Sequence, residues 1–136
     1  MIVVDTSVLL AYFHARDPAH DRVAELFDDA SLTYVVSPMV VAELDYLVTT
    51  RLGVAAELQM LRELTSGAYE MPSLSLLDLL DCQAIIERHA PLPIGVTDAS
   101  LVVLADRYET VDIATFDRRH FSVLRRSDGA AFRLLP

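Results

Sequence analysis

Hydrophobic and polar positions run along the chain in short blocks that switch between strand-like and helix-like periods. Ile2-Val3-Val4 is an unbroken β-branched run that stops at Asp5-Thr6-Ser7. Without alternation, such a run predicts a strand buried on both faces, as in a parallel sheet. Thr6 or Ser7 can cap a short helix over residues 8–13, which Asp17-Pro18 breaks. A second helix is expected over 20–30, with Val23, Ala24, Leu26 and Phe27 on one side. Residues 32–36 predict the next strand, closed by Ser37-Pro38, and the proline opens a helix from Met39 to about Arg51. Gly53 separates it from a helix over Val54–Leu64, whose Leu58, Leu61 and Leu64 recur at helical spacing. A strand is expected over 68–71. An amphipathic helix follows over 75–89, with Leu76, Leu77, Leu80, Ala84 and Ile85 on one face, until Pro91 and Pro93 stop it. Gly95-Val96-Thr97-Asp98 leads into an apolar helix from Ala99 to about Arg107. Strands over 112–116 and 132–135 complete the pattern. Strands that alternate with helices predict an α/β fold, an α/β/α sandwich around a mostly parallel central sheet.

Composition narrows this picture. The 136 residues show no repeat, linker or low-complexity segment, so 1–136 reads as a single domain. A chain of this size buries roughly two-thirds of its unfolded surface. Hydrophobic residues make up 53% and charged residues 23%, the balance of a packed protein. Cys82 stands alone, so no internal disulfide can form and an intracellular setting is favoured. No apolar stretch reaches about 18 residues, and the N-terminus lacks a signal peptide's charged region and cleavage site, so the expectation is a cytoplasmic protein without membrane contact. All 11 basic residues are arginine and none is lysine. This excludes Schiff-base and pyridoxal phosphate chemistry and a Walker phosphate loop, each of which needs an ammonium. A formal charge of −9 argues at first sight against a nucleic-acid partner.

Candidate chemistry lies in the acids. In an open parallel sheet, ligands bind outside the carboxyl ends of the strands. Asp5 and Asp117 stand at two such ends, which a parallel sheet brings to one rim. Asp98 sits where the Ala99 helix begins; by position it is as good an N-cap as a site residue. The helix from Met39 is apolar almost all round and should be largely buried, so a carboxylate on it is costly unless paired or metal-bound. Glu43 and Asp45 are both odd guests there, periodicity does not choose between them, and Arg51 is a candidate partner for either. Three or four carboxylates with no lysine among them repel one another and are tolerable mainly around divalent cations. Hard oxygen ligands without cysteine or histidine point to Mg²⁺ or Mn²⁺, and such sites most often perform phosphoryl chemistry.

Val4-Asp5-Thr6-Ser7, Val41-Ala42-Glu43-Leu44, Gly95-Val96-Thr97-Asp98-Ala99 and Ala114-Thr115-Phe116-Asp117-Arg118-Arg119-His120-Phe121 occur in this order over nearly the whole chain. The ordered set resembles the acidic motifs of PIN-domain nucleases, and the compact length and tail motif resemble most the toxins of VapBC toxin–antitoxin pairs. The resemblance implies a Mg²⁺- or Mn²⁺-dependent endoribonuclease that hydrolyses RNA phosphodiesters and halts translation, with transfer RNA or a ribosomal RNA loop as substrate. It assigns Asp5, Glu43, Asp98 and Asp117 to the catalytic metal site, choosing Glu43 over Asp45. Asp5 and Asp98 would be direct ligands, and Glu43 and Asp117 would act through water. Thr6, Ser7 and Thr115 would be supporting hydroxyls. The resemblance also implies a homodimer and a cognate VapB-type antitoxin, with promoter DNA bound only through that antitoxin.

The remaining features have plainer readings. His14, His20 and His89 fall near helix ends and are expected to face water; His120 is expected to pack or touch RNA. Cys82 reads as a small hydrophobe. From Asp117 onward five arginines face two acids, a local balance of +3, and arginine's planar fork suits phosphate. Arg118, Arg119, Arg125 and Arg126 are therefore candidate RNA contacts, beside the alternative of a solvated C-terminal face. A haloacid-dehalogenase-type phosphatase is disfavoured: it needs a second Asp where Ser7 stands and a lysine the chain lacks. A catalytically silent PIN-like module that binds RNA or a partner is the other alternative.

Overall fold

The computed structural model describes residues 1–136. Its elements are β1 (Ile2–Val4), α1 (Thr6–Phe13), α2 (His20–Phe27), β2 (Tyr34–Val36), α3 (Pro38–Leu52), α4 (Val54–Leu64), β3 (Tyr69–Glu70), α5 (Leu76–Arg88), α6 (Val96–Arg107), β4 (Asp112–Ala114), α7 (Arg118–Phe121) and β5 (Arg133–Leu135). The strands form one five-stranded sheet in the order β3-β2-β1-β4-β5, and every pairing is parallel. The α/β/α expectation therefore holds, with a wholly parallel sheet. Ile2, Val3 and Val4 are buried, as are Tyr34, Val35 and Val36, the burial on both faces that their unbroken apolar runs predict.

The strand order places the site. From β1 the chain builds outward through β2 to β3, then returns through α5 and α6 to lay β4 against the other edge of β1, with Val4 opposite both Val36 and Ala114. The order reverses between β1 and β4, and at such a switch point the connections leave to opposite sides and open a crevice beyond the strands' carboxyl ends. Asp5 follows β1 there, its N–H donating to the Ala114 carbonyl at 2.9 Å. Through α6, residues 99–105 are all buried, as befits a helix apolar all round. It packs on β1 and β4, and α5 covers its outer side.

Two helix expectations are corrected. The apolar pattern of α3 does not bury it all round: Val40, Leu44 and Val48 form the one buried stripe, at i, i+4 and i+8, and Glu43 is exposed. Its carboxylate thus carries no burial penalty, and Arg51, also exposed, makes no ion pair. On α5 the leucine face turns outward. Leu76, Leu77 and Leu80 are 74%, 71% and 52% exposed, while Cys82, Ile85 and Ile86 pack on Ala99 and Val103 of α6. The expected face is thus divided: its leucines and Ala84 turn outward, while Ile85 turns in with Cys82 and Ile86 to make the contact.

Candidate active site at the sheet switch point

Each acid is positioned by its own element. Asp5 is the N-cap of α1, its Oδ1 accepting the Thr6 N–H at 2.8 Å. Its Oδ2 accepts from the Ser7 hydroxyl at 2.6 Å and the Thr115 hydroxyl at 2.8 Å. Glu43 reaches across from α3, where its Oε2 accepts the Thr6 hydroxyl at 2.6 Å. Asp98 lies in the first turn of α6; the N-cap is Gly95, which corrects the capping alternative. Asp117 caps the short α7 by accepting the His120 N–H at 3.0 Å, and its own N–H donates to the Thr115 hydroxyl at 2.9 Å. Thr115 thus ties Asp5 to Asp117, and Thr6 ties Asp5 to Glu43. A buried pair reinforces this frame: the Ser37 and Ser100 hydroxyls meet at 2.7 Å, joining the N-cap of α3 to α6.

The four carboxylates open onto one cleft of about 450 Å³, lined also by Thr6, Ser7, Leu10, Thr97 and His120. Asp5 is only 6% exposed and has no cationic partner. Burial raises the Asp98 carboxyl above its ordinary range, and the nearby charges of Asp5 and Asp117 push it the same way; His120 and the Gly95 backbone offset part of this. His120 Nδ1 stands 2.9 Å from Asp98 and 3.1 Å from Asp117 and is the one basic side chain lining the cleft. This bridging place is closer to the acids than packing or RNA contact alone predicts. The other histidines do not simply face water: His20 Nδ1 lies 3.2 Å from the Ala11 carbonyl, His89 Nδ1 lies 2.9 Å from that of Ile85, and all three are half-buried.

No three His, Cys, Asp or Glu side chains are drawn together as a ready-made ion site. The donor set still fits a hard divalent cation: four carboxylates and three hydroxyls, no thiolate, a buried aspartate without a counter-charge and a second one that burial disfavours as an anion. The C-terminal arginines separate into groups. Arg118 and Arg119 are exposed on α7 with no ion pair. Arg125 donates to the Ser122 and Leu124 carbonyls. Arg126 is mostly buried and pairs with Asp106 and Asp128, each at 3.4 Å, and Arg133 pairs with Asp112 at 2.5 Å.

A parallel sheet with carboxylates gathered at its switch point and hydroxyls bracing them defines the class. A match to the PIN domain spans residues 2–126, and the chain belongs to that family. It is a homologue of a VapC ribonuclease: it is 50% identical over 135 residues to Ribonuclease VapC26 of Mycobacterium tuberculosis (strain ATCC 25618 / H37Rv), covering 99% of this chain and all of that one. Among solved structures, the fold is similar to Mycobacterium tuberculosis VapC20, a Sarcin-Ricin loop cleaving toxin, with a TM-score of 0.81, 20% identity and coverage of 87% of this chain and 91% of that one. It is also similar to VapBC2 of Rickettsia felis, bound to a DNA fragment from their promoter (TM-score 0.65, 17% identity, 98% and 97% covered). FitAcB of Neisseria gonorrhoeae shares the fold as well (TM-score 0.62, 19% identity, 100% and 97% covered).

Proposed function

We propose that this chain is the ribonuclease toxin of a toxin–antitoxin pair, a single catalytic domain that hydrolyses RNA phosphodiesters with a divalent cation, Mg²⁺ or Mn²⁺. The observation that carries the reading is the buried, cation-free Asp5 facing Glu43, Asp98 and Asp117 around one cleft. Near-full-length identity of 50% to Ribonuclease VapC26 supports the choice of RNA. Asp5 and Asp98 would hold the cation directly, and Glu43 and Asp117 would do so through water. When bound, the ion supplies positive charge for the phosphate oxygens and makes a coordinated water more acidic. Thr6, Ser7 and Thr115 keep the carboxylates aimed by donating to them, which leaves their remaining lone pairs for the cleft. Arg118 and Arg119 are the free cations beside Asp117 and take the phosphate backbone, with Arg125 behind them; Arg126 serves structure through Asp106 and Asp128.

The partners follow from the same reading. Transfer RNA or a ribosomal RNA loop is the substrate, cleavage takes place in the cytoplasm and stops translation, and a VapB-type antitoxin inhibits the toxin and carries the pair to promoter DNA. Two copies form a homodimer through the outward leucines of α5, an apolar surface too concentrated for a solvated helix face. No helix is long and apolar enough to cross a membrane.

Incubating the purified protein with total RNA in Mg²⁺, in Mn²⁺ and in chelator tests the activity. Cutting is expected with either cation, none with chelator, and a loss of at least about 100-fold in Asp5→Asn and in Asp98→Asn. Cutting that survives chelator or persists in both variants overturns the metal site. Retained RNA binding without any cutting by the wild-type protein replaces the enzyme with a silent binding module.

A further inference from the structure

One cation from a part of the chain far from the arginine-rich tail stands over the ring next in sequence to Asp117. Arg22, on α2, lays its guanidinium 5.3 Å from the centre of the Phe116 ring. Phe116 sits between Thr115 and Asp117, and its backbone N–H donates at 3.1 Å to the hydroxyl of Ser7, a residue that lines the carboxylate cleft. The ring is half-buried against the core, whereas Arg22 is exposed. Glu25 and Asp29 line the same shallow hollow as Arg22, yet neither forms an ion pair with it. Arg22 is therefore solvent-accessible and unpaired, with its guanidinium donors left open above the ring.

We propose that Arg22, laid over Phe116, is a stacking platform that seats one unpaired base of a single-stranded RNA beside the cleft, with the guanidinium's free N–H groups toward the neighbouring phosphate. The inference rests on the ribonuclease reading and adds a residue that positions the substrate. Bases stack on arginine planes as well as on aromatic rings, and the face tolerates any base because every base has a π-surface. The ring below holds the guanidinium by cation–π attraction and spares it the mobility of a solvated arginine. Phosphate contact at Arg118 and Arg119, which follow Asp117 in the chain, would then lead the strand past that carboxylate.

The platform is tested with fluorescein-labelled 12-nucleotide oligoadenylate RNA and a set of the same probes with one abasic residue walked along the strand. Binding is followed by anisotropy at millimolar Mg²⁺, with Asp5→Asn as a common background that prevents cutting. Arg22→Ala and Phe116→Leu are each expected to weaken binding roughly 5- to 50-fold. The background protein is expected to show one abasic position that weakens binding by a similar factor, and this dependence should vanish in Arg22→Ala. Arg22→Lys keeps the charge but not the plane, and it should retain salt dependence while losing the abasic effect. Melting temperatures of the variants show whether the fold is kept. Affinity and abasic dependence unchanged in a folded Arg22→Ala, or fully restored by Arg22→Lys, overturns the platform. If that occurs while the wild-type protein still cuts RNA, the platform alone fails; if the wild-type protein neither binds nor cuts, the ribonuclease reading falls and the platform with it.

Discussion

Asp98, proposed as a cation ligand, carries a carboxyl whose charge the fold itself disfavours. Its carboxyl is driven up mainly by burial and further by Asp5 and Asp117, so its surroundings disfavour the anion. For an acid whose folded pKa is raised, the destabilisation is present above that pKa and disappears as pH falls through it. Asp98→Asn removes the charge at all pH values and keeps an oxygen to face His120. Without divalent cation, this variant is expected to melt above the wild-type protein at pH 7, and the gap should narrow as the pH falls through the raised pKa. Adding millimolar Mn²⁺ should raise the melting temperature of the wild-type protein and leave that of the variant where it was. Calorimetric melting at several pH values checks both, and a variant that melts lower at pH 7 than the wild type would remove burial as the source of the shift.

At the scale of elements, what the sequence revealed depended on how local the deciding contact was. Asp5 and Asp117 were legible because a strand's end and its next residue are neighbours in the chain, and parallel order brings such ends together. Glu43 and Asp45 could not be separated by pattern, since the apolar residues of α3 spread around it and only packing selects the stripe of Val40, Leu44 and Val48. The place of His120 is not legible locally, because its bridge to Asp98 spans 22 residues and exists only once α7 is set against α6. The outward turn of the α5 leucines is likewise decided by packing against α6, while the start of the helix is written locally. Ser75 caps the helix and Asp78 returns the bond, a reciprocal box that Arg107 extends from α6 with a 2.6 Å pair. The Ser75 hydroxyl and N–H, then Arg107, hold the Asp78 carboxyl down at about 2. A depressed acid stabilises the fold above its unfolded pKa and loses that contribution as pH falls through the folded one, here between about pH 4 and 2. Asp78→Asn should therefore be less stable than the wild-type protein at pH 7 and converge with it by pH 2, whereas Ser75→Ala should cost about 1 kcal/mol at neutral pH. Urea unfolding across this range reads both, and a gap for Asp78→Asn that persists undiminished at pH 2 would show that shape and not charge holds the box.

Across the whole molecule, two properties pull against each other: an apolar strip that favours association and a charge of −9 that opposes it. Leu76, Leu77 and Leu80 are exposed in the single chain, so replacing them removes no core packing, while pairing two α5 helices would take all three out of water at roughly 25 cal/mol per Å². Repulsion between two acidic copies is long-ranged and screened by salt, whereas the apolar contact is not. The dimer should accordingly tighten between about 50 and 300 mM salt, the opposite of the RNA complex, whose phosphate contacts weaken with salt. Leu77→Glu combined with Leu80→Glu adds charge at the centre of the strip and should shift the sedimenting mass from twice the 15.1 kDa chain to the chain itself. Its circular dichroism should match that of the wild-type protein, because both positions already face water in the single chain. A wild-type protein that sediments as one chain at tens of micromolar and 300 mM salt, or a double variant that keeps the dimer, would show that the leucines of α5 do not join two copies.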